Sequence, residues 1–316
     1  MSCRLATFNI ESLDWSQDQS AWFETRAKAL RPILDDLRPD ILCLQEVHGQ
    51  HLTPDQPRSL VALSKLIDGT ALAGFHIAHS QHPDRAEPVD KHNLAILSRW
   101  PIETQRQILH DYVQPRRWRS PEGEDLTIAF DRPALHVQIA QPGAAPLHVF
   151  NLHLRAPRAA PVPGGRIQGQ WTSTKLWAQG YFIATLKRQA QALEVRLAVE
   201  ELLARQPQAH VVVCGDLNAE SFEAPTRLLQ ALPEDVETNA FEARALLPLE
   251  ARLPPDQRFS VVHNGRKVLL DHILASAPLA ERCSSVTALN DGLADEALAT
   301  EPVAGSLHGP LLAIFD

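Results

Sequence analysis

The sequence predicts an α/β layered fold with a substantial antiparallel component. Apolar runs of strand length recur along the chain, only two segments hold a long helical period, and several neighbouring runs are joined by connections too short for a helix.

Taken in order, Arg4 to Ile10 reads as a strand, Phe23 to Leu37 as a helix and Ile41 to Leu44 as the next strand, a β-α-β opening. Further strands are predicted over Phe75 to His79, Leu94 to Ser98, Thr127 to Phe130, Leu135 to Ile139, Leu147 to Leu152, His210 to Cys214, Arg258 to Val262, Leu269 to Leu274 and Leu311 to Phe315. The longest helix is predicted from about Phe182 to Ala204, where Ile183, Leu186, Ala190, Leu193 and Leu197 recur at helical steps, and it stops before Gln206-Pro207. Residues 111–125 and 155–180 are rich in proline, glycine, arginine and tryptophan and read as long loops, which in a compact domain tend to be functional. No repeat or interdomain linker interrupts the pattern, so residues 1–316 read as one domain.

Composition narrows the function classes. The chain has 316 residues, 44% of them hydrophobic, with 38 acidic against 30 basic side chains and a formal net charge of −8. That balance argues against a protein that coats nucleic acid through general electrostatics, and nowhere is an apolar stretch long enough to span a bilayer. The expectation is a soluble, cytoplasmic chain. Cys3, Cys43, Cys214 and Cys283 stand far apart without metal-ligand spacing and read as buried free thiols.

Five strand-like runs end in polar residues: Asn9 in "LATFNIES", Glu46 in "ILCLQEV", Asn151 and His153 in "HVFNLHLRAP", Asp216 and Asn218 in "VVVCGDLNAES", and Asp271 and His272 in "VLLDHILAS". A carboxylate at the edge of an apolar run is costly to bury unpaired, so the repetition asks for a shared purpose. Spacing of two places Asn151 with His153, and Asp216 with Asn218, on one strand face; His272 points away from Asp271 and reads as structural. Hydrolysis at phosphorus suits such a set, since hard oxygen donors hold Mg²⁺ or Mn²⁺ and histidines move protons.

The motifs "TFNIES", "LQEVHG", "LAILSRWPI", "FNLHLRA", "GDLNAES", "LDHILAS" and "SLHGPLL" together resemble the endonuclease/exonuclease/phosphatase superfamily, the deoxyribonuclease-I-like hydrolases, in its order and across nearly the whole chain. The resemblance implies a four-layer α/β sandwich, two packed mostly antiparallel β-sheets flanked by helices, with a divalent-metal phosphoesterase site at one end. By the same resemblance Glu46 is the principal metal ligand and Asn9 its companion. Asp216 and Asn218 position the attacking water, His153 and His308 handle protons, and Asp271 holds the tautomer of His308. Arg132 and Arg155 are candidate phosphate contacts, and Asn151 is either a substrate contact or a structural amide. The implied activity is a metal-dependent phosphodiesterase; the alternatives are a DNA or RNA nuclease and a non-catalytic binding relative.

Two basic loops bear on the substrate. Arg116, Arg117, Trp118 and Arg119 form one cluster, and Arg155, Arg158, Arg166, Trp171, Lys175 and Trp177 a second. Either suits a phosphate ester, whether a small molecule, a lipid headgroup or nucleic acid; no protein partner is inferable. One position departs from the family pattern: Leu307 stands where an aspartate usually precedes the last histidine. The expectation is a looser or single-metal site, with Asp291, Asp295, Glu296 or Glu301 as a possible replacement acid.

Overall fold

A computed structural model describes residues 2–53, 55–130 and 132–316. In chain order, β1 (Cys3–Leu13), β2 (Ile41–Val47), β3 (His76–His79), β4 (Asn93–Ser98) and β5 (Ile102–Ile108) precede a hairpin of β6 (Arg116–Arg119) and β7 (Asp125–Ile128). β8 (Ala134–Ile139) and β9 (Leu147–His153) lead to a short hairpin of β10 (Arg166–Ile167) and β11 (Gln170–Trp171). β12 (His210–Asp216), β13 (Leu246–Pro248), β14 (Val261–His263), β15 (Arg266–Val268), β16 (Asp271–Ser276), β17 (Cys283–Ala288) and β18 (Leu311–Phe315) follow. Three helices shape the layers: α1 (Ser20–Leu37), α2 (Val61–Ile67) and α3 (Thr174–Arg205).

One six-stranded sheet runs β17-β18-β1-β2-β4-β3 and the other β13-β16-β12-β9-β8-β5. The pairs β1/β2 and β9/β12 are parallel and the remaining neighbours antiparallel. A parallel pair needs a long crossover, and α1 and α3 supply the two. Strand alternation then builds four layers. Cys3, Leu5, Ile41 and Cys43 of the first sheet meet Leu147, Val149, Val212, Cys214 and Ile273 of the second in a shared core. The opposite face of the first sheet, Ala6, Phe8, Leu42 and Leu44, is covered by Phe23, Ala27, Leu30 and Leu34 of α1 and by Leu63 and Leu66 of α2. The outer face of the second sheet, Phe150, Leu152, Val211 and Val213, is covered by Ala192, Val195 and Val199 of α3. The four-layer sandwich is therefore as expected, and all four cysteines are buried free thiols.

Both stretches expected to be irregular carry structure. Residues 111–125 hold β6 and the start of β7, and residues 155–180 hold β10, β11 and the opening turns of α3. The helix begins at Thr174 rather than Phe182, because Ser173 caps it by accepting the Leu176 N–H at 3.2 Å. These first turns escape periodicity since Lys175, Trp177 and Tyr181 are exposed and bury no continuous stripe. β5 was invisible for a similar reason: it is a largely exposed edge strand, "IETQRQI". Among the described residues no helix is long and apolar enough to cross a membrane.

Candidate active site

The inter-sheet layer is apolar through most of its depth and turns polar at one end. On β9, β12 and β16 the residues facing this layer end with His153, Asp216 and Asp271, and the register aligns them side by side: Asp216 pairs with His153 on one flank and with Asp271 on the other. From the first sheet come Asn9 of β1 and Glu46 of β2. Simple alternation would aim Glu46 at the helices. A left-handed φ of 63° and an irregular register between Leu44 and Val47 turn its carboxylate into the site instead.

The hydrogen bonds form one network. Asn9 Nδ2 donates to Asp216 Oδ2 at 3.0 Å and to Glu46 Oε1 at 3.4 Å, while its Oδ1 accepts the Glu11 N–H at 3.0 Å. That last bond fixes the amide orientation, so Asn9 turns its nitrogen toward the carboxylates and holds them. Asn9, expected beside the metal, thus bridges the Asp216 and Glu46 carboxylates. Ser12 donates its N–H to Glu46 Oε2 at 3.0 Å. Asn218, at a φ of 48°, gives its backbone N–H to Asp216 Oδ1 at 2.8 Å and its amide to Asp216 Oδ2 at 3.1 Å. His308 Nδ1 donates to Asp271 Oδ2 at 2.7 Å. His153 Nε2 lies 3.7 Å from Glu46 Oε1 and 3.5 Å from Asp216 Oδ2, bridging the two carboxylates.

The electrostatics divide the groups. Burial raises the Glu46 carboxyl, but His92 and His153 beside it and the Asn9 amide outweigh this and hold it below the usual carboxylate range. Burial, with Asp271 adjacent, lifts Asp216 to about 7 despite the nearby His308. Burial, aided by the Arg132 charge, drives His153 well below the ordinary histidine value, leaving a neutral ring. Burial also pulls on His308, yet the Asp271 carboxylate overcomes it and raises His308 to about 10. One histidine is thus a lone-pair donor and the other an imidazolium.

Other expected residues sort as follows. Asn151 lies a layer deeper and is completely buried; its amide donates to Leu44 O at 2.9 Å and Ala95 O at 3.0 Å and accepts from Gln45 at 2.7 Å. Through these bonds it joins the two sheets. Arg132 reaches Leu154 O at 3.5 Å beside His153, whereas Arg155 Nε is buried without a hydrogen-bond partner among the described residues. His272 lies on the outer face, as alternation requires, bound to Glu250 at 2.6 Å and Ala219 O at 2.9 Å.

Leu307 has a neighbour the sequence did not suggest. Its backbone N–H donates to Glu11 Oε2 at 2.8 Å, so the acid nearest this position comes from β1. The proposed replacements are engaged elsewhere in part: Asp295 accepts the Asn264 and Gly265 N–H groups of the β14–β15 turn, and Glu296 pairs with His263. Two further residues were missed. His92, just before β4, has Nδ1 at 3.6 Å from Glu46 Oε2. Arg26 of α1 is buried and donates to the carbonyls of Ile10, Glu11, Ser12, Ala304 and Gly305, tying the end of β1 to the segment before His308. A lone histidine and a helix arginine carry no periodic signal that could have revealed them.

The donor chemistry fits a divalent cation. Glu46, His92 and His153 bring ligand atoms within 4.8 Å of one another, as do Asp216, Asp271 and His308, and buried ring nitrogens of His48, His92 and His153 have no hydrogen-bond partner among the described residues.

A polar strand-end cluster of this kind, set between two mixed sheets faced by helices, defines a deoxyribonuclease-I-like α/β sandwich. The chain belongs to the Endonuclease/Exonuclease/phosphatase family, which it matches over residues 6–295. Among solved structures it resembles an AP endonuclease from Archaeoglobus fulgidus, with 18% identity, 99% of each chain covered and a TM-score of 0.55. Truncated Caenorhabditis elegans TDP2 shares 19% identity over 99% of this chain and 97% of that one, at a TM-score of 0.58. A Neisseria 3′ phosphatase bound to a product DNA hairpin shares 18% identity over 99% of each chain, at 0.56. No curated protein matches the chain by sequence. Family membership supports metal-dependent phosphoester hydrolysis.

Proposed function

We infer that the protein is a divalent-metal-dependent phosphodiesterase that hydrolyses its substrate by direct attack of water. The observation that carries this reading is the side-by-side alignment of His153, Asp216 and Asp271 opposite Glu46, with the two histidines driven to opposite protonation states. The carboxylate of Glu46 would hold the cation, which when bound polarises a phosphoryl oxygen. Asp216, oriented by both hydrogen bonds from Asn218 and by Asn9, would take a proton from the attacking water. His308, locked on Asp271 through Nδ1, turns a charged Nε2–H toward the phosphate and supplies a proton to the leaving oxygen. No side chain needs to form a covalent intermediate.

A nuclease is the second reading, and one observation favours it. Residues 155–188 contain six basic and no acidic side chains in a chain of net charge −8. The segment leaves the site directly after Leu154 and returns to it where Arg188 donates to Asn218 O. Both ends of a basic segment thus meet the candidate site, an arrangement suited to a polyanion.

Turnover of bis-p-nitrophenyl phosphate, with and without EDTA, tests the chemistry. Asp216→Asn and His308→Ala should each lower kcat by about 10²-fold or more, the near-isosteric Asp216→Asn with the melting temperature nearly unchanged. No turnover with any divalent ion would overturn the reading. A panel of oligonucleotides and small phosphodiesters separates the two substrate classes.

A further inference from the structure

We propose that Trp177 and Tyr181 of α3 form a stacking platform for unpaired bases of a single-stranded nucleic acid crossing the site. This deepens the nuclease reading and rests on it for the identity of the substrate. Helix geometry, exposure and charge each support the platform.

α3 is the crossover between the parallel strands β9 and β12, so it runs back along the second sheet from the end that carries the site. Its inward face buries Ala192, Val195 and Val199 against that sheet, and Arg188 on the same face reaches Asn218 O at the strand end. Ala192, Val195 and Val199 follow Arg188 by four, seven and eleven residues; Tyr181 and Trp177 precede it by seven and eleven, within about 20° of it around the axis. From Thr174 to Lys187 the helix carries this face about 20 Å past the strand ends. There the sheet no longer covers it: Trp177 is 45% and Tyr181 40% exposed, with ring centroids 5.5 Å apart. The other side of the helix is fixed. A Cβ on Gly180 would fall 2.3 Å from Ala160 O, and Ile183 and Ala184 pack with Ile128 and Val162. Two rings are thus held on a rigid support in solvent, past the strand ends that bear His153 and Asp216, and apolar surface left out in this way marks a contact surface.

Charge and direction select the occupant. Residues 155–188 bring six basic and no acidic side chains, so the rings sit in a segment complementary to a polyanion. Part of that charge is met within the protein: Lys175 lies 2.6 Å from Glu122 of the β6–β7 hairpin and Arg188 3.7 Å from Glu223, while Arg166 stacks over Trp171. The loop that leaves Asn218 adds a third exposed ring, Phe222, at 72%. Indole and phenol rings accept the π face of any base, and the phosphates between bases meet the cations. A duplex hides those faces inside its own stack, which leaves the unpaired strand as the better fit. The inward direction of the stripe suits a chain crossing the strand ends, whereas a bilayer would need its rings at an outward apex.

Fluorescence anisotropy of the full chain with a fluorescein-labelled oligothymidylate of about 12 nucleotides, in EDTA so that no turnover competes, tests the proposal. The double variant Trp177→Ala/Tyr181→Ala should weaken binding of this strand about tenfold or more, each single alanine variant should show part of the loss, and Trp177→Phe/Tyr181→Phe should restore most of it. Affinity for a duplex of equal length should change less than about twofold, because its base faces are already stacked. Both rings are largely solvated, so the variants should fold, as their melting temperatures will verify. Equal affinity of the wild type and the alanine pair for the single strand overturns the proposal, and so does an equal loss for strand and duplex. Cosedimentation with phosphatidylglycerol vesicles supplies the rival outcome: vesicle binding that needs the rings, with strand binding that does not, makes the face a lipid contact. Turnover of bis-p-nitrophenyl phosphate by the wild type decides the phosphodiesterase reading separately. Turnover without ring-dependent strand binding keeps that reading and removes the platform; ring-dependent binding without turnover under any ion does the reverse.

Discussion

His272 shows how a single residue can be legible in sequence for its place but not for its charge. Alternation from Asp271 turns it to the outer face of the second sheet, and there both ring nitrogens meet acceptors, Glu250 Oε1 and Ala219 O. Two acceptors require two N–H groups, so the buried ring is an imidazolium paired with a buried carboxylate. Burial alone would lower its pKa, but Glu250 and Ala219 O raise it above the ordinary value of 6.5. The stabilisation is therefore fully present below about pH 6.5 and is lost as pH rises through the folded-state value. At pH 6, His272→Gln should cost about 3–5 kcal/mol, since it leaves Glu250 buried and unpaired. The deficit should shrink as pH rises above 7; urea denaturation of both proteins at several pH values measures it, and a deficit flat with pH would contradict the ion pair. His92, by contrast, could not be read from sequence. Its place beside Glu46 depends on a left-handed backbone, with a φ of 59°, and on a carboxylate from another strand.

At the level of elements, the strand ends were legible and the edges were not. Polar residues closing apolar runs marked His153, Asp216 and Asp271, whose shared face is fixed by the pleat, whereas Glu46 joins them only through its left-handed backbone. The weakly apolar β5 and the exposed first turns of α3 gave no such pattern. On β12, Gly215 pairs with Leu152 of the parallel neighbour β9; its φ is 133°, and a Cβ there would fall 2.0 Å from Leu152 O. Gly215 thus sets the spacing of the strand that carries Asp216. Gly215→Ala should destabilise the protein by about 1–3 kcal/mol or more and move the Asp216 carboxylate. Thermal denaturation together with kcat tests this; an alanine variant with native melting temperature and rate would show that the strands part without consequence.

For the whole molecule, the sequence conveyed the layered architecture and the family, whereas the joining of distant segments emerged only in three dimensions. Arg26 illustrates this, bridging residues near 10 and near 304 through carbonyls that no side-chain motif encodes. Charge is likewise uneven, since residues 155–188 are wholly basic among their charged groups within an acidic chain. With a polyanionic substrate, raising NaCl from about 50 to 300 mM should lower kcat/KM severalfold and leave kcat nearly constant, because salt screens the approach rather than the chemistry. Steady-state kinetics on an oligonucleotide, with bis-p-nitrophenyl phosphate as the comparison, measures this; equal salt sensitivity of both substrates would exclude steering. The pairing of β1 with β18 has a consequence in time. Cys3 aligns with Phe315, and His308 lies just before that last strand. Joining them closes a loop that spans almost the whole chain, which is among the slowest classes of contact to form. A folding chain can therefore assemble β2 with Glu46, and β9 and β12 with His153 and Asp216, and still lack the charged histidine. If His308 acts as proposed, hydrolytic competence would come only when the last strand pairs with β17 and β1.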